Sequence, residues 1–141
     1  MAGSIKGFRF LLDTNIVSDL VRQPSGVVRD RIAEVGDQAV CVSIIVAAEL
    51  RFGAKKRQSK QLTRQVEAIL AAIPALPFEP PMDEFYAEIR AGLEADGNLI
   101  GPNDLLIAAH SLALDLTLVT DNFKAFSRVP GLRVENWMSR R

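Results

Sequence analysis

The stretch IGPNDLLIAAHSLALDLTLVTDN, residues 100–122, joins a helix, a buried strand and an acid in one run and decides the fold class. Gly101-Pro102 predicts a helix start, because proline suits the first helical turn. The helix is predicted over NDLLIAAHSLALD, and the apolar run LTLVT after it predicts a short buried strand. Because strands and helices alternate in this way along the chain, the sequence predicts an α/β fold with a parallel sheet.

The other predicted elements continue the alternation on both sides of this stretch. Strands are predicted for FRFLL (8–12), AVCVS (39–43), a short ALPF (75–78) and LRVEN (132–136). Helices are predicted over 15–22, 27–35, 44–56 behind Ser43 as N-cap, 59–72, and the apolar stripe of Met82, Phe85, Tyr86, Ile89 and Leu93. No repeat or long linker divides the 141 residues, so we expect one domain over 1–141. The stripe 82–93 fits either packing on the core or a partner groove.

Composition excludes several classes of protein. No apolar stretch approaches the roughly 20 residues of a membrane span, and the N-terminal MAGSIKGFRFLLD lacks the features of a signal peptide. We therefore expect a cytoplasmic protein that is not bound to a membrane. Cys41 is the only cysteine, so an intrachain disulfide and a cysteine-based zinc site are excluded, and we expect it to be buried.

The charges are balanced overall but unevenly placed. The chain has 17 basic and 17 acidic residues, which argues against broad electrostatic binding of nucleic acid. Residues 51–64 nevertheless hold six basic residues and no acid. This segment is either a solvated helix face or a contact for backbone phosphates.

Four acids lie where acids are locally out of place, beside apolar runs. Asp13 ends FRFLL, Glu49 splits IIVAAEL, Asp104 opens DLLIAAH and Asp121 ends LTLVT. A carboxylate beside apolar surface is costly unless a cation or hydrogen-bond donors compensate. The one lysine or arginine inside these runs is Arg9 of FRFLL, four residues before Asp13. Asp13 and Asp121 follow predicted strands, and the carboxyl ends of parallel strands are where such folds bind ligands. We therefore predict that the four acids converge at one edge of the sheet.

Converging carboxylates are the hard oxygen ligands that Mg²⁺ and Mn²⁺ prefer. One or two such ions would activate water and stabilise the leaving oxygen in phosphodiester cleavage. Each acid also has a simpler interpretation. Asp13 and Asp104 fit helix capping, Asp121 fits a turn before Asn122, and Glu49 fits an exposed helix position.

Polar neighbours and one histidine complete the set of candidates. Thr14, Asn15, Thr120 and Asn122 are able to orient waters or carboxylates, or to serve only as turn and cap residues. His110 is the only histidine and lies six residues after Asp104, so it is not on the same helix face one turn away. A catalytic role for His110 is therefore disfavoured.

The motifs LLDTNIVSDL (11–20), AAELRFG around Glu49, the stretch 100–122 and FSRVPGLRVENW (126–137) together resemble the PIN-domain ribonucleases, and more closely the VapC toxins of bacterial toxin–antitoxin pairs. The resemblance covers nearly the whole chain in matching order, and residues 100–137 are its most specific part. It implies a three-layer α/β/α PIN-like domain with a mainly parallel central sheet.

The resemblance also implies an activity, a site and partners. The implied protein is an Mg²⁺- or Mn²⁺-dependent endoribonuclease. It is usually dimeric and is inhibited by a VapB-type antitoxin, and it would contact operator DNA only through that antitoxin. The acidic quartet of the family matches Asp13, Glu49, Asp104 and Asp121, with Asn15 and Thr120 at its accessory positions. The fourth position, matched by Asp121, varies more in residue type across the family than the first three. Transfer RNA is a common target of such toxins. The alternative is a non-catalytic partner in an antitoxin–DNA regulatory complex.

Overall fold

The computed structural model describes residues 7–138, whose centre is a five-stranded sheet. Its strands are β1 (Phe10–Leu12), β2 (Val40–Ser43), β3 (Ala75–Leu76), β4 (Thr117–Val119) and β5 (Val134–Glu135). All four neighbouring pairs are parallel. The predicted parallel sheet is therefore confirmed. The prediction that the N-terminal segment is not a signal peptide concerns residues 1–13, of which residues 1–6 lie outside the described residues.

Seven α-helices connect the strands in the described part of the chain. They are α1 (Thr14–Arg22), α2 (Val27–Val35), α3 (Ile44–Arg57), α4 (Lys60–Ala72), α5 (Met82–Ala95), α6 (Pro102–Ala113) and α7 (Phe123–Phe126). Ser43 caps α3 as predicted, since its hydroxyl accepts a hydrogen bond from the Ile45 backbone N–H. A 3₁₀ turn over Asp37–Ala39 and the single turn of α7 were not predicted.

The order of the strands, β3-β2-β1-β4-β5, creates one switch point. From β1 the chain moves outward on one side to β2 and β3, and then returns to the other side for β4 and β5. Right-handed crossovers in opposite directions place α1 to α4 on one face and α5 to α7 on the other. Contacts of α1 with α2, α3 and α4, and of α5 with α6, agree with these layers. The fold is the predicted three-layer α/β/α arrangement.

Several element ends differ from the sequence prediction. The predicted strands at 8–12, 75–78 and 132–136 are shorter in the structure, where only the residues paired with a neighbour are strand. The helix predicted through Asp115 ends at Ala113, and Asp115 adopts a left-handed backbone with φ of 56°. This conformation turns the chain into β4 and could not be read from the run SLALD.

The core forms one cluster of buried side chains around the sheet. In the stripe of α5, Met82, Ile89 and Leu93 are buried, whereas Phe85 is 37% exposed. Tyr86 is partly buried and packs against the same core, so the prediction of core packing is correct for four of the five residues. Cys41 is buried as predicted, and burial raises the pKa of its thiol to about 12.

Within residues 7–138, none of the helices combines the length and apolar character needed to cross a membrane.

Candidate active site

The candidate site lies at the carboxyl edge of the sheet, where β1 and β4 are neighbours and the strand order reverses. Asp13 follows β1 directly, and Thr120 and Asp121 follow β4. The Asp13 backbone N–H donates to the Val119 carbonyl over 2.8 Å, so the two strand ends are joined at the point where the acids begin. This is the crevice in which open α/β sheets bind ligands.

Asp13 is buried and uses both carboxylate oxygens. Oδ1 accepts from the Thr14 backbone N–H at 2.8 Å, and Oδ2 accepts from the Thr120 hydroxyl at 2.7 Å. The first bond caps α1, so the capping interpretation of Asp13 describes a real contact. The second bond reaches across from β4, which helix capping alone does not require. Thr120 is itself fully buried, and its hydroxyl also accepts from the Asn122 backbone N–H.

Glu49 is half-buried and is held by two donors from other helices. The Thr14 hydroxyl of α1 donates to Oε1, and the Asn103 side-chain amide of α6 donates to Oε2 at 3.0 Å. The simpler interpretation of Glu49, as an exposed and unconstrained residue on α3, is therefore wrong. The sequence predicted a polar role for Thr14 but not its partner Glu49, and it did not predict a role for Asn103. The signal for Asn103 was its place directly before Asp104 at a helix start.

Asp104 lies in the first turn of α6, and no hydrogen bond from residues 7–138 reaches its carboxyl group. Gly101, rather than Asp104, occupies the N-cap position, and no side-chain cap is formed. Burial and the nearby charges of Asp13 and Glu49 raise the pKa of Asp104 to about 6. The simpler interpretation of Asp104 as a cap of α6 is therefore wrong, although its position in the first turn is favourable for the helix dipole.

Asp121 is exposed and is linked to the site through Asn15. The Asn15 side-chain amide donates to Asp121 Oδ1 at 2.9 Å. The turn after β4 is capped by Asn122, whose Oδ1 accepts from the Ala125 backbone N–H. Asp121 thus belongs to the acidic edge but is its most solvated member.

The electrostatics connect the four acids into one cluster. Burial raises the pKa of Asp13, the Thr120 and Thr14 hydrogen bonds oppose that change, and the charges of Glu49 and Asp121 add to it. Among residues 7–138, no lysine, arginine or histidine forms an ion pair with any of the four. Like charges gathered without a cation are unfavourable, and a bound cation would relieve that repulsion.

The donor chemistry of this edge suits a hard divalent cation, although the side chains do not form a closed cage. No three Asp, Glu, His or Cys side chains of residues 7–138 already surround a common point as metal ligands. The carboxylates of Asp13 and Glu49 are turned toward hydrogen-bond donors instead. The residues fit Mg²⁺ or Mn²⁺ by type, charge and the unpaired carboxyl of Asp104. Metal binding by these acids stays a prediction.

A groove of about 300 Å³ runs from this edge between α1, α3 and α4. Thr14 and Glu49 line it together with Arg22 and Arg57. Arg57 lies eight residues after Glu49 on α3, roughly 12 Å along the helix axis. Arg51, by contrast, is engaged by Glu67 over 2.8 Å. Within residues 51–64, five exposed basic residues form no ion pair with an acid of the described chain: Lys55, Lys56, Arg57, Lys60 and Arg64.

The PIN domain family model matches residues 10–132. The chain belongs to the PIN-domain family. It is 36% identical over 130 residues to the ribonuclease VapC2 of Rickettsia felis, covering 91% of this chain and 97% of that protein. It is 34% identical over 130 residues to the tRNA(fMet)-specific endonuclease VapC of Shigella flexneri, covering 92% and 98%.

Solved PIN-domain structures share the fold closely. The chain is similar to a chain in the crystal structure of VapBC2 from Rickettsia felis bound to a DNA fragment from their promoter. The TM-score is 0.84 at 35% identity, with 92% of this chain and 99% of that chain covered. The predicted resemblance to VapC proteins is therefore confirmed. The roles of individual acids in this PIN domain stay predictions.

Proposed function

We propose that the protein is the toxin of a type II toxin–antitoxin system and acts as a metal-dependent endoribonuclease. The observation that carries the proposal is the gathering of Asp13, Glu49, Asp104 and Asp121 at the β1–β4 switch point without a pairing cation. The relatives named as VapC ribonucleases support the reaction class. Mg²⁺ or Mn²⁺ is the proposed cofactor, held by Asp13, Glu49 and Asp104, with Asp121 completing the site.

The cation would supply Lewis-acid stabilisation and a nucleophilic water for in-line attack on the phosphodiester. Thr120 and the Thr14 backbone fix the Asp13 carboxylate, which leaves that acid preorganised. Thr14 and Asn103 fix Glu49 at the interface of three helices. Asn15 orients Asp121 in the same way. By analogy with the family, the products would carry a 5′-phosphate and a 3′-hydroxyl.

The RNA backbone would lie along the groove that leaves the acidic edge. Arg57 supplies positive charge there, and Arg22, which pairs with Asp19 over 3.8 Å, lines the same groove, while the four acids are left to the cation. Transfer RNA is the first substrate to test, because the relative from Shigella flexneri is named as specific for tRNA(fMet). A cytoplasmic location stays a prediction from the sequence.

The proposed partner is a VapB-type antitoxin, with a homodimeric toxin inside the complex. The similar structures from Rickettsia felis and Salmonella typhimurium are DNA-bound VapBC complexes. Those complexes also favour the second candidate, a regulatory partner that meets operator DNA only through the antitoxin. The two functions are compatible, and only the enzyme requires the acidic cluster.

Induced expression followed by sequencing of RNA 5′ ends tests the proposal. We expect new 5′-phosphate ends at defined sites, arrested growth, and suppression of both when the antitoxin gene is co-expressed. Asp104→Asn is the matched variant, because it removes the charge without removing a hydrogen bond made by residues 7–138. Equal growth arrest and identical RNA ends from Asp104→Asn would contradict the proposed site, and unchanged RNA with normal growth would favour the non-catalytic alternative.

A further inference from the structure

A buried hydrogen bond between Ser43 and His110 joins the two helices that carry Glu49 and Asp104. The Ser43 hydroxyl and His110 Nδ1 are 2.8 Å apart, and both residues are fully buried. Ser43 ends β2 and caps α3, on which Glu49 follows six residues later. His110 lies on α6, six residues after Asp104. The bond therefore joins the N-cap of α3 to the last turn of α6, and these two helices carry Glu49 and Asp104.

Counting donors and acceptors assigns the direction of this bond. The Ser43 hydroxyl already accepts from the Ile45 backbone N–H at 3.0 Å, so its own proton needs an acceptor. If Ser43 donates to Nδ1, only the Nε2–H of His110 lacks a partner. If His110 donated instead, both the serine proton and Nε2 would lack partners. The structure thus favours Ser43 as donor to a neutral imidazole with its proton on Nε2.

Burying the His110 ring in this way is energetically unfavourable if the residue serves only to fill the core. Nε2 is buried without a hydrogen-bond partner in the described chain, and the ring packs edge-on with Phe78 at 5.8 Å between centroids. An apolar side chain of similar size would fill the space without burying an unpaired polar atom. The other side-chain hydrogen bond between α3 and α6 is the one from Asn103 to Glu49, at the site itself.

We propose that the Ser43–His110 hydrogen bond positions α3 against α6 and so sets the separation of the Glu49 and Asp104 carboxylates. His110 is a positioning residue in this account, because it is fully buried and acts through the helices that it joins. The consequence for activity rests on the proposed metal-dependent cleavage. The consequence for metal binding does not depend on RNA being the substrate.

The experiment compares His110→Leu, which fills the core without a hydrogen bond, with His110→Asn, which keeps a polar atom near the place of Nδ1. Ser111→Ala is the matched control, since the buried Ser111 hydroxyl bonds only within α6, to the Ile107 carbonyl. The readouts are kcat and KM on an RNA oligonucleotide, Mn²⁺ affinity by calorimetry, and the urea midpoint. For His110→Leu we expect kcat to fall about 10- to 100-fold with KM unchanged, because small misplacements of reacting groups are amplified in the rate.

We also expect His110→Leu to weaken Mn²⁺ binding by about tenfold while its urea midpoint stays at or above that of the wild type. His110→Asn should recover part of both losses, and Ser111→Ala should change neither. Wild-type kcat and Mn²⁺ affinity in His110→Leu would overturn the proposal, and so would equal losses in Ser111→Ala. If the wild type binds Mn²⁺ but cuts no RNA, the proposed function fails and the affinity comparison still decides the positioning.

Ser43→Ala provides a second variant if His110→Leu does not fold. Its control is Ser59→Ala, which removes the equivalent N-cap bond from α4, a helix without any of the four acids. We expect Ser43→Ala to lose Mn²⁺ affinity and Ser59→Ala to keep it at a similar cost in the urea midpoint. Equal Mn²⁺ affinities in the two variants would overturn the proposal.

Discussion

Asp104 and His110, six residues apart on α6, have opposite effects on the pH dependence of stability. The pKa of Asp104 is raised to about 6 from 3.8, so the folded protein holds its proton over a window in which the unfolded chain has lost it. This carboxyl therefore destabilises the metal-free fold as the pH rises through that window. Burial lowers the pKa of His110 to about 4 from 6.5, so this ring destabilises the fold as the pH falls.

The Asp104→Asn variant isolates the contribution of the carboxyl. In the presence of EDTA, we expect the free energy of unfolding of the variant to rise relative to that of the wild type as the pH increases from about 4 to about 7. The gain should level off above the raised pKa, because the carboxyl is then fully ionised. Urea denaturation at a series of pH values measures the difference. A constant difference across that range would contradict the raised pKa.

Asp121 and Asp104 differ in burial, and their variants should differ in activity. Asp121→Asn should lower kcat by about 10- to 100-fold, as expected for a group that orients or completes a metal site. Asp104→Asn should lower kcat further. Asp104 is half-buried and receives no hydrogen bond from residues 7–138, so a bound cation would be the main partner of its charge. Initial rates at saturating RNA and Mn²⁺ measure both variants. A larger loss in Asp121→Asn than in Asp104→Asn would reverse this ranking.

At the scale of the elements, strand ends and helix starts position the site. The sequence predicted these elements well where a cap or a proline marked the boundary, as at Ser43 and Pro102. It did not predict the Asn103–Glu49 contact, which joins residues 54 positions apart and depends on how α3 packs against α6. It also missed α7, because a single helical turn has no periodic pattern to recognise.

The short strand β5 depends on Trp137 for its attachment to the sheet. The Trp137 ring is fully buried, packs 5.0 Å from Phe10 of β1 and lies under the Arg31 guanidinium at 5.4 Å. We expect Trp137→Ala to reduce the free energy of unfolding by about 3–5 kcal/mol, since a large core cavity is created. Urea denaturation measures this loss, with the exposed Phe123→Ala as the control. Equal stability of the two variants would show that β5 is held by other contacts.

At the scale of the whole molecule, a cation bound at the acidic edge would couple the two layers of helices. Asp13 and Glu49 belong to the α1–α4 side, whereas Asp104 belongs to α6 on the other side. The sequence placed Asp13 and Asp121 at strand ends, Asp104 at a helix start and Glu49 within a helix, as the structure has them. Their mutual distances follow from the strand order, which sequence spacing does not determine. That residues 1–141 form a single domain stays a prediction.

Mn²⁺ should therefore stabilise the folded protein. At a free concentration about 100 times its Kd, a ligand that binds only the folded state adds about 2.7 kcal/mol to the free energy of unfolding. We expect this gain in the wild type and in Asp96→Asn, which alters an exposed acid at the end of α5. Asp104→Asn should lose most of the gain. A gain of the same size in Asp104→Asn, measured by urea denaturation, would place the cation elsewhere.

The most direct test of the central claim is cleavage of transfer RNA by the purified, antitoxin-free protein with Mn²⁺, with EDTA, and as Asp104→Asn. The account predicts defined fragments with Mn²⁺, none with EDTA, and a loss of roughly 100-fold or more in rate for the folded variant. Cleavage by Asp104→Asn at the wild-type rate, or cleavage that persists in EDTA, would contradict it.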